Sequence, residues 1–304
     1  MPRFAVADIP TQTDRTIIVT GASPGGLGYE TALALAGKGA HVVLAGRSAA
    51  KLDTARAKIL DAHPSASVSV ETLDLASLKS IEAFAQRIAT AHPKLDRLIN
   101  NAGVMALPKR ESTADGFEMQ FGVNHLGHFA LTGRLLPLLR ATLGARVVNV
   151  SSIAHRNGRI AFDDLQSERN YAPWTAYSQS KLANLLFTFE FERRGAANKW
   201  GVDANAAHPG VARTQLIANG PGDMGPLMRL LMPLATHSAA NGALPILLAA
   251  TSPEAGGGDY WGPNGMGEMR GAPAPAKVMP LARDEAAARQ LWDVSEKLTG
   301  VTFA

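Results

Sequence analysis

Short apolar runs alternate with longer helical patterns through the first two-thirds of this 304-residue chain, and few folds satisfy that alternation. Residues 16–19, 41–45, 68–72, 96–99, 146–150 and 202–207 read as strands of four to six residues. Helical patterns fall at 31–37, 49–61, 77–91 (with Ser77 as cap) and 117–140, and another carries Tyr177 and Lys181 on to about 198. Mostly apolar strands, each followed by a helix, imply a parallel sheet covered on both faces. The fixed hand of such connections leaves very few topologies. There is no internal repeat and no low-complexity linker, so one domain over 1–304 is expected. Its core would span about 14–260, with a C-terminal extension over about 261–304. The Pro/Gly-rich stretch 256–277 reads as irregular decoration.

Composition narrows the function classes. Apolar residues make up 46% and charged residues 18% of the chain, enough for a sizeable core and against global disorder. The net charge of +4 comes from scattered Lys and Arg without a basic run, which argues against a nucleic-acid partner. No cysteine is present, which excludes disulfides, thiolate metal sites and a cysteine nucleophile. The N-terminus does not read as a signal peptide. The most apolar region, 227–250, is broken by Arg229, Pro233, His237, Asn241 and Pro245, short of the ~20 uninterrupted apolar residues of a bilayer span. A cytoplasmic protein without a transmembrane span is the expectation.

The turn after the first strand reads Thr20-Gly21-Ala22-Ser23-Pro24-Gly25-Gly26-Leu27-Gly28. Glycines there let the backbone approach a pyrophosphate, and the following helix offers unpaired N–H groups and a favourable dipole. A ligand-free glycine turn is the bland alternative. The fold expected is therefore α/β, a single-domain doubly wound (Rossmann) parallel sheet of about seven strands with helices on both faces. The second strand leads into Gly46-Arg47-Ser48. A carboxylate at such a place holds the ribose 2′-hydroxyl of NAD, whereas an arginine accommodates the 2′-phosphate of NADP. Arg47 thus favours NADP(H), with NAD(H) as the lesser option.

Tyr177 and Lys181 lie four residues apart, about one helical turn, on one helix face. A phenol ordinarily ionises near pH ~10. An ammonium roughly 4 Å away would favour phenolate by about 4 kcal/mol at an effective dielectric of about 20, or about three pK units. That would make Tyr177 a general acid/base. On its own the Tyr-x-x-x-Lys spacing is common by chance.

With these pieces in order, residues 14–260 resemble the short-chain dehydrogenase/reductase family, and within it the retinol dehydrogenase and WW-domain oxidoreductase branch. The matching motifs are Thr20–Gly28, Leu73-Asp74-Leu75, Asn100-Asn101-Ala102-Gly103, Val123–Phe129, Val148-Asn149-Val150-Ser151-Ser152, the Tyr177/Lys181 pair and His208–Thr214. The resemblance implies a catalytic tetrad of Asn124, Ser152, Tyr177 and Lys181. Tyr177 would deliver the proton to a substrate carbonyl, Ser152 would hold that oxygen, and Lys181 would bind the nicotinamide ribose and steady the phenolate. Asn124 would support a water relay to Lys181. Ser151 and Ser152 both qualify by residue type. The branch places its serine 25 positions before the tyrosine, which selects Ser152. Residues 153–176 would then be an inserted loop, with His155, Arg156 and Trp174 touching substrate.

Cofactor contacts implied by the resemblance are Gly21, Ser23, Gly26, Leu27 and Gly28 in the glycine loop, Asp74 and Leu75 at the adenine, and Asn101, Ala102 and Gly103 beneath the cofactor. Pro209, Val211 and Thr214 would lie at the carboxamide, with Tyr177 and Lys181 completing the set. The loop departs from the usual Thr-Gly-x-x-x-Gly-x-Gly by one extra residue, and Pro24 has no N–H to offer a phosphate. The function implied is hydride transfer between NADP(H) and a small-molecule carbonyl or alcohol, apolar and fairly bulky. A non-catalytic NADP(H)-binding sensor or scaffold is the alternative. A sugar-nucleotide epimerase or dehydratase shares the Tyr/Lys pair but needs a larger C-terminal domain. Pairing into a homodimer or homotetramer through the helices at 117–140 and 175–198 is the assembly the resemblance suggests.

His125 and His128 sit three apart on a helix, but nothing nearby completes a metal set, so no metal is expected and structural histidines are the reading. Met224, Met228 and Met232 recur at helical spacing beside Leu227, Leu231 and Leu234. Core packing and an adaptable wall for an apolar substrate fit that stripe equally.

Overall fold

The structure, a computed structural model, describes residues 4–213 and 236–303. Thr214 and the methionine stripe lie outside the described residues. The chain runs β1 (Thr16–Thr20), α1 (Leu27–Gly37), β2 (His41–Gly46), α2 (Ala49–Ala62), β3 (Ser67–Thr72), α3 (Leu78–Ala91) and β4 (Arg97–Asn100). It continues through α4 (Met119–Phe121), a π-helical turn (Gly122–Leu126), α5 (Gly127–Arg140), β5 (Ala145–Val150), a 3₁₀ turn (Ile153–Asn157), α6 (Pro173–Asn198) and β6 (Val202–Ala207). Then follow β7 (Ala212–Arg213), β8 (His237–Ser238), α7 (Ala239–Thr251), β9 (Tyr260–Gly265), β10 (Arg270–Pro275) and α8 (Glu285–Thr299).

Eight strands form one sheet in the order β10-β9-β6-β5-β4-β1-β2-β3. All neighbours are parallel except β9 and β10. The apolar strands explain the layering: all six residues of β5 are buried, so both faces need helices. Ile81, Phe84, Phe129 and Phe187 from α3, α5 and α6 fill one side. Ala32, Leu35, Leu52 and Ile246 from α1, α2 and α7 fill the other. The strand order reverses between β1 and β4, and their carboxyl ends open the crevice where such sheets bind ligands.

The doubly wound single domain is as expected, with three corrections. The sheet has eight strands where about seven were expected. Stretch 256–277 is not irregular: it contains the β9–β10 hairpin, whose β9 pairs with β6 and extends the sheet. Pro273 and Pro275 lie on the edge strand β10, and Pro263 lies beyond the two residues by which β9 pairs with β6, so lost ladder donors are tolerated. The long helix expected at 117–140 starts at Met119, where the buried Glu118 carboxylate accepts the Gln120 and Phe121 N–H groups, and it is interrupted by the π turn. Residues beyond the sheet add only the 3₁₀ turn Pro280–Arg283 and α8, so a second substrate domain is absent among the described residues.

α6 is buried nearly all round. Every residue from 176 to 191 is buried. One side of the helix meets the sheet, and α8 with the tail to Phe303 covers the other. The Phe303 ring centroid lies 4.5 Å from that of Trp292 in a tilted pair, and Trp292 lies 5.2 Å from Phe129 and 5.6 Å from Phe187. A Cβ on Gly133 of α5 would meet Val301 Cγ1 at 2.6 Å, so that glycine admits the tail. The helix faces expected to pair with a second copy are therefore covered by the chain itself.

Candidate active site

Four hydrogen bonds fix the helix that carries the phenol. The Ser151 hydroxyl donates to the Lys181 carbonyl at 2.7 Å, and Lys181 Nζ and Asn184 Nδ2 each donate to the Val150 carbonyl at 3.1 Å. Asn149 Nδ2 donates to Thr188 Oγ1 at 3.0 Å. The sequence Asn149–Ser151 at the end of β5 thus holds one face of α6 over about two turns. Ser151 is used up in this work. Ser152 caps the 3₁₀ turn, accepting the Ala154 N–H at 3.2 Å, and its half-buried hydroxyl is left facing the cleft and Tyr177.

Tyr177 and Lys181 are 6% and 4% exposed, and the ammonium lies 5.7 Å from the phenol ring centroid. The two point the same way, into a cleft of about 1090 Å³. Burial pushes the Tyr177 pKa up to about 12, against a lowering by its Ser152 hydrogen bond. Burial pushes Lys181 down to about 8. The expectation that the ammonium would acidify the phenol is corrected: loss of solvent dominates, and at neutral pH the phenol is firmly protonated.

Asn124 does not line the cleft. It is fully buried behind it, where Oδ1 accepts the Val104 N–H at 2.8 Å and Nδ2 donates to the Val104 carbonyl and to Ser180 Oγ, both at 2.9 Å. It therefore holds the strand of backbone that forms the cleft wall. Gly103 lies between it and Lys181, where a Cβ would meet Asn124 Oδ1 at 3.0 Å and Lys181 Nζ at 3.6 Å.

The glycine loop absorbs its extra residue in a turn. Gly26 N–H bonds the Ser23 carbonyl at 3.3 Å, and Gly25 takes φ +76°, a left-handed conformation suited to glycine. Beyond it the chain regains register: a Cβ on Gly28 would meet Asn101 Nδ2 and the Gly21 carbonyl oxygen at 2.6 Å. The Thr20 hydroxyl accepts the Asn101 and Ala102 N–H groups at 2.9 Å, tying the loop to the end of β4. Gly26, the N-cap of α1, makes no side-chain cap bond, and it lines the cleft beside Leu27. An uncapped helix start on a close-packed glycine turn fits a dinucleotide pyrophosphate.

Gly21, Ser23, Arg47, Asp74, Leu75, Asn101, Ala102, Gly103, Pro209 and Val211 also line this cleft. Gly28 stands behind the loop instead. Arg47 is exposed at the rim and makes no ion pair among the described residues. Beside it the cleft exposes Ser48 and Lys51, which sequence reading missed. The signal was present: Ser48 caps α2, and Lys51 follows one turn into that helix. Of the three loop residues expected at the substrate, Arg156 and Trp174 line the cleft but His155 does not. Its ring is 1% exposed and donates through Nδ1 to the Ser152 carbonyl at 2.7 Å.

The two helix histidines are structural. His128 Nδ1 donates to the Asn124 carbonyl at 3.1 Å, and Nε2 meets the Thr20 hydroxyl at 3.0 Å. Burial lowers the pKa of His128 to about 4 and that of His125 to about 3, so both are neutral. No cluster that could hold a metal ion occurs among the described residues.

A sequence model of the short chain dehydrogenase family matches residues 15–223. The chain is 44% identical to human retinol dehydrogenase 13 over 296 residues, covering 94% of this chain and 85% of that protein. It is 41% identical to human retinol dehydrogenase 14, covering 94% and 87%. A crystal structure of an uncharacterized protein from Mycobacterium paratuberculosis superposes with a TM-score of 0.83 at 40% identity, covering 99% of each chain. A short chain dehydrogenase from Escherichia coli CFT073, solved with NADPH, gives a TM-score of 0.60 at 27% identity, covering 83% of this chain and 98% of that one. Sequence, fold and cleft agree: this chain belongs to the short-chain dehydrogenase family, as a retinol dehydrogenase-like oxidoreductase built to bind a nicotinamide cofactor.

Proposed function

We propose that the protein reduces carbonyls or oxidises the matching alcohols with NADP(H), through Tyr177, Ser152, Lys181 and Asn124. The observation that carries this reading is the buried Tyr177 phenol in the cleft that Ser152 also lines, with the buried Lys181 ammonium 5.7 Å from its ring. When bound, the nicotinamide exchanges hydride with the substrate carbon. Tyr177, protonated at neutral pH, gives its proton to the substrate oxygen in reduction. Ser152 donates a hydrogen bond to that oxygen while positioning the phenol. Lys181 carries its charge below about pH 8 and stabilises the phenolate that Tyr177 leaves behind. Asn124 holds the wall behind Lys181, and the water relay assigned to it belongs to this proposal.

For the cofactor we assign Gly21, Ser23, Gly26 and Leu27 to the pyrophosphate, and Gly28 to the packing that shapes the loop. Asp74 and Leu75 take the adenine, Asn101 to Gly103 the wall beneath, and Pro209, Val211 and Thr214 the carboxamide. Preference for NADP(H) over NAD(H) rests on Arg47 with Lys51 and the α2 N-terminus behind it, three features that favour a 2′-phosphate. The NADPH-bound neighbour supports the same choice. Val104, Met105, Leu107, Ile153 and Trp174 line the remaining cleft, which favours an apolar, fairly bulky substrate.

The same proposal includes a cytoplasmic location, to be checked by cell fractionation. It also holds that any homodimer or homotetramer forms through faces other than those α8 covers. The test of function is a spectrophotometric screen of NADPH and NADH against aldehydes, ketones, retinoids and steroids, repeated with Arg47→Asp. NADPH should be consumed with at least one carbonyl, and the variant should lose about tenfold or more of its NADPH preference. Cofactor binding without consumption across the screen would favour the sensor reading. An unchanged cofactor ratio would defeat the role of Arg47.

A further inference from the structure

Two segments that wall the cleft converge on one carboxylate, and it lies beyond residue 223, outside the stretch matched to the family. Glu268 sits in the turn between β9 and β10 with φ +69°. Residues other than glycine rarely hold that left-handed conformation, and they persist in it where their surroundings over-determine it. Here they do. Glu268 Oε2 lies 3.0 Å from His208 Nε2 and 2.6 Å from Arg156 Nη2, and Oε1 accepts the Lys277 N–H at 3.0 Å. Arg156 Nη1 adds a bond to the neighbouring Gly267 carbonyl at 3.3 Å. Gly210 N–H donates to His208 Nδ1 at 3.2 Å, so Nδ1 is the acceptor and Nε2 holds the proton that Glu268 receives.

The two partners belong to different walls. Arg156 lies in the 3₁₀ turn that Ser152 caps, and the Ser152 carbonyl is itself held by His155. His208 directly precedes Pro209–Val211. The hairpin turn grips that second segment again through the Met269 carbonyl, which accepts the Val211 N–H at 2.8 Å. One oxygen atom shared by a guanidinium and an imidazole N–H fixes the gap between these walls at two hydrogen-bond lengths. Glu268 itself does not line the cleft.

We propose that Glu268 is a positioning residue, which sets the distance between Ser152 on the substrate side and the Pro209–Val211 segment on the cofactor side. The proposal rests on the oxidoreductase reading above. Transfer between two bound partners is steep in their separation, and a displacement of about 1 Å can cost on the order of 10²-fold. A loosened Glu268 should therefore slow turnover more than it weakens binding.

The experiment compares the full-length protein with Glu268→Ala and Glu268→Gln, using NADPH and whichever carbonyl the screen identifies. Turnover, KM, the NADPH dissociation constant and the thermal midpoint are measured on each. Glu268→Ala should lower kcat by about tenfold or more while the dissociation constant moves by less than about threefold. Glu268→Gln keeps an acceptor for His208 and nearly the same shape but loses the charge that holds Arg156, so it should recover part of kcat. A kcat and KM within about twofold of the parent in both variants would overturn the proposal. So would a lowered thermal midpoint with unchanged kcat per folded molecule. If Glu268→Ala does not fold, Glu268→Gln decides alone. No turnover in the parent protein would instead count against the oxidoreductase reading, and the positioning role would fall with it.

Discussion

Lys181 keeps an ammonium where the packing favours an apolar side chain. It is 4% exposed, and its one hydrogen bond from Nζ goes to a carbonyl that Asn184 also serves. The shift from 10.5 to about 8 corresponds to about 3 kcal/mol of destabilisation at neutral pH. The sign follows from the two states. Between pH 8 and 10.5 the unfolded chain holds a proton that the fold has released, so this penalty fades as pH rises. Lys181→Met should abolish turnover yet raise stability at pH 7 by up to about 3 kcal/mol, with the gain shrinking between pH 8 and 10. Urea unfolding at several pH values checks it; a variant less stable than its parent at pH 7 would contradict it. At this scale the sequence singled out candidate groups by type and spacing, and the structure brings Ser152, Tyr177 and Lys181 to one cleft. It left Ser151 and Ser152 open until resemblance chose; in the structure the Ser151 hydroxyl is committed to the Lys181 carbonyl. What it misjudged was the electrostatics of Tyr177, because a spacing of four residues says nothing about burial on every side.

Strands and helices in the first two-thirds were legible because the strands are mostly apolar and two of the helices open on a serine cap. Ser48 and Ser77 cap α2 and α3 through their own side chains. Three elements were not. The π turn at Gly122–Leu126 leaves no mark in the residue pattern, since its neighbours continue the same helix. The β9–β10 hairpin contains Gly262, Pro263, Gly265, Gly271, Pro273 and Pro275, a composition that reads as loop anywhere but at a sheet edge. The segment at 153–176 was expected as one inserted loop, whereas its first five residues form a tight turn and its end begins α6. Each miss bears on the walls of the cleft: the π turn carries Asn124 behind one wall, the hairpin carries Glu268 behind two others, and the turn is capped by Ser152, which lines it.

The whole molecule closes on itself through its C-terminal extension. Trp292 of α8 is 2% exposed among Phe129, Phe187, Trp200 and Phe303, and the Arg194 guanidinium lies 4.7 Å over its ring. Such a residue packs α8 onto α5 and α6. Trp292→Ala should therefore destabilise the protein by about 3–5 kcal/mol, with a urea midpoint independent of protein concentration in both parent and variant. A loss below about 1 kcal/mol in the variant would mean that α8 does not secure α5 and α6. Sequence reading missed this because the partners of Trp292 on α5 and α6 lie far from it along the chain. No helix among the described residues is long and apolar enough to cross a membrane.

The central claim is that Tyr177 is the acid that serves the carbonyl, and Tyr177→Phe tests it with the loss of a single oxygen. With NADPH and a competent carbonyl, the variant should lose turnover by about 10²-fold or more while NADPH affinity stays within about twofold. Turnover near that of the parent, with the cofactor still bound, would contradict the account.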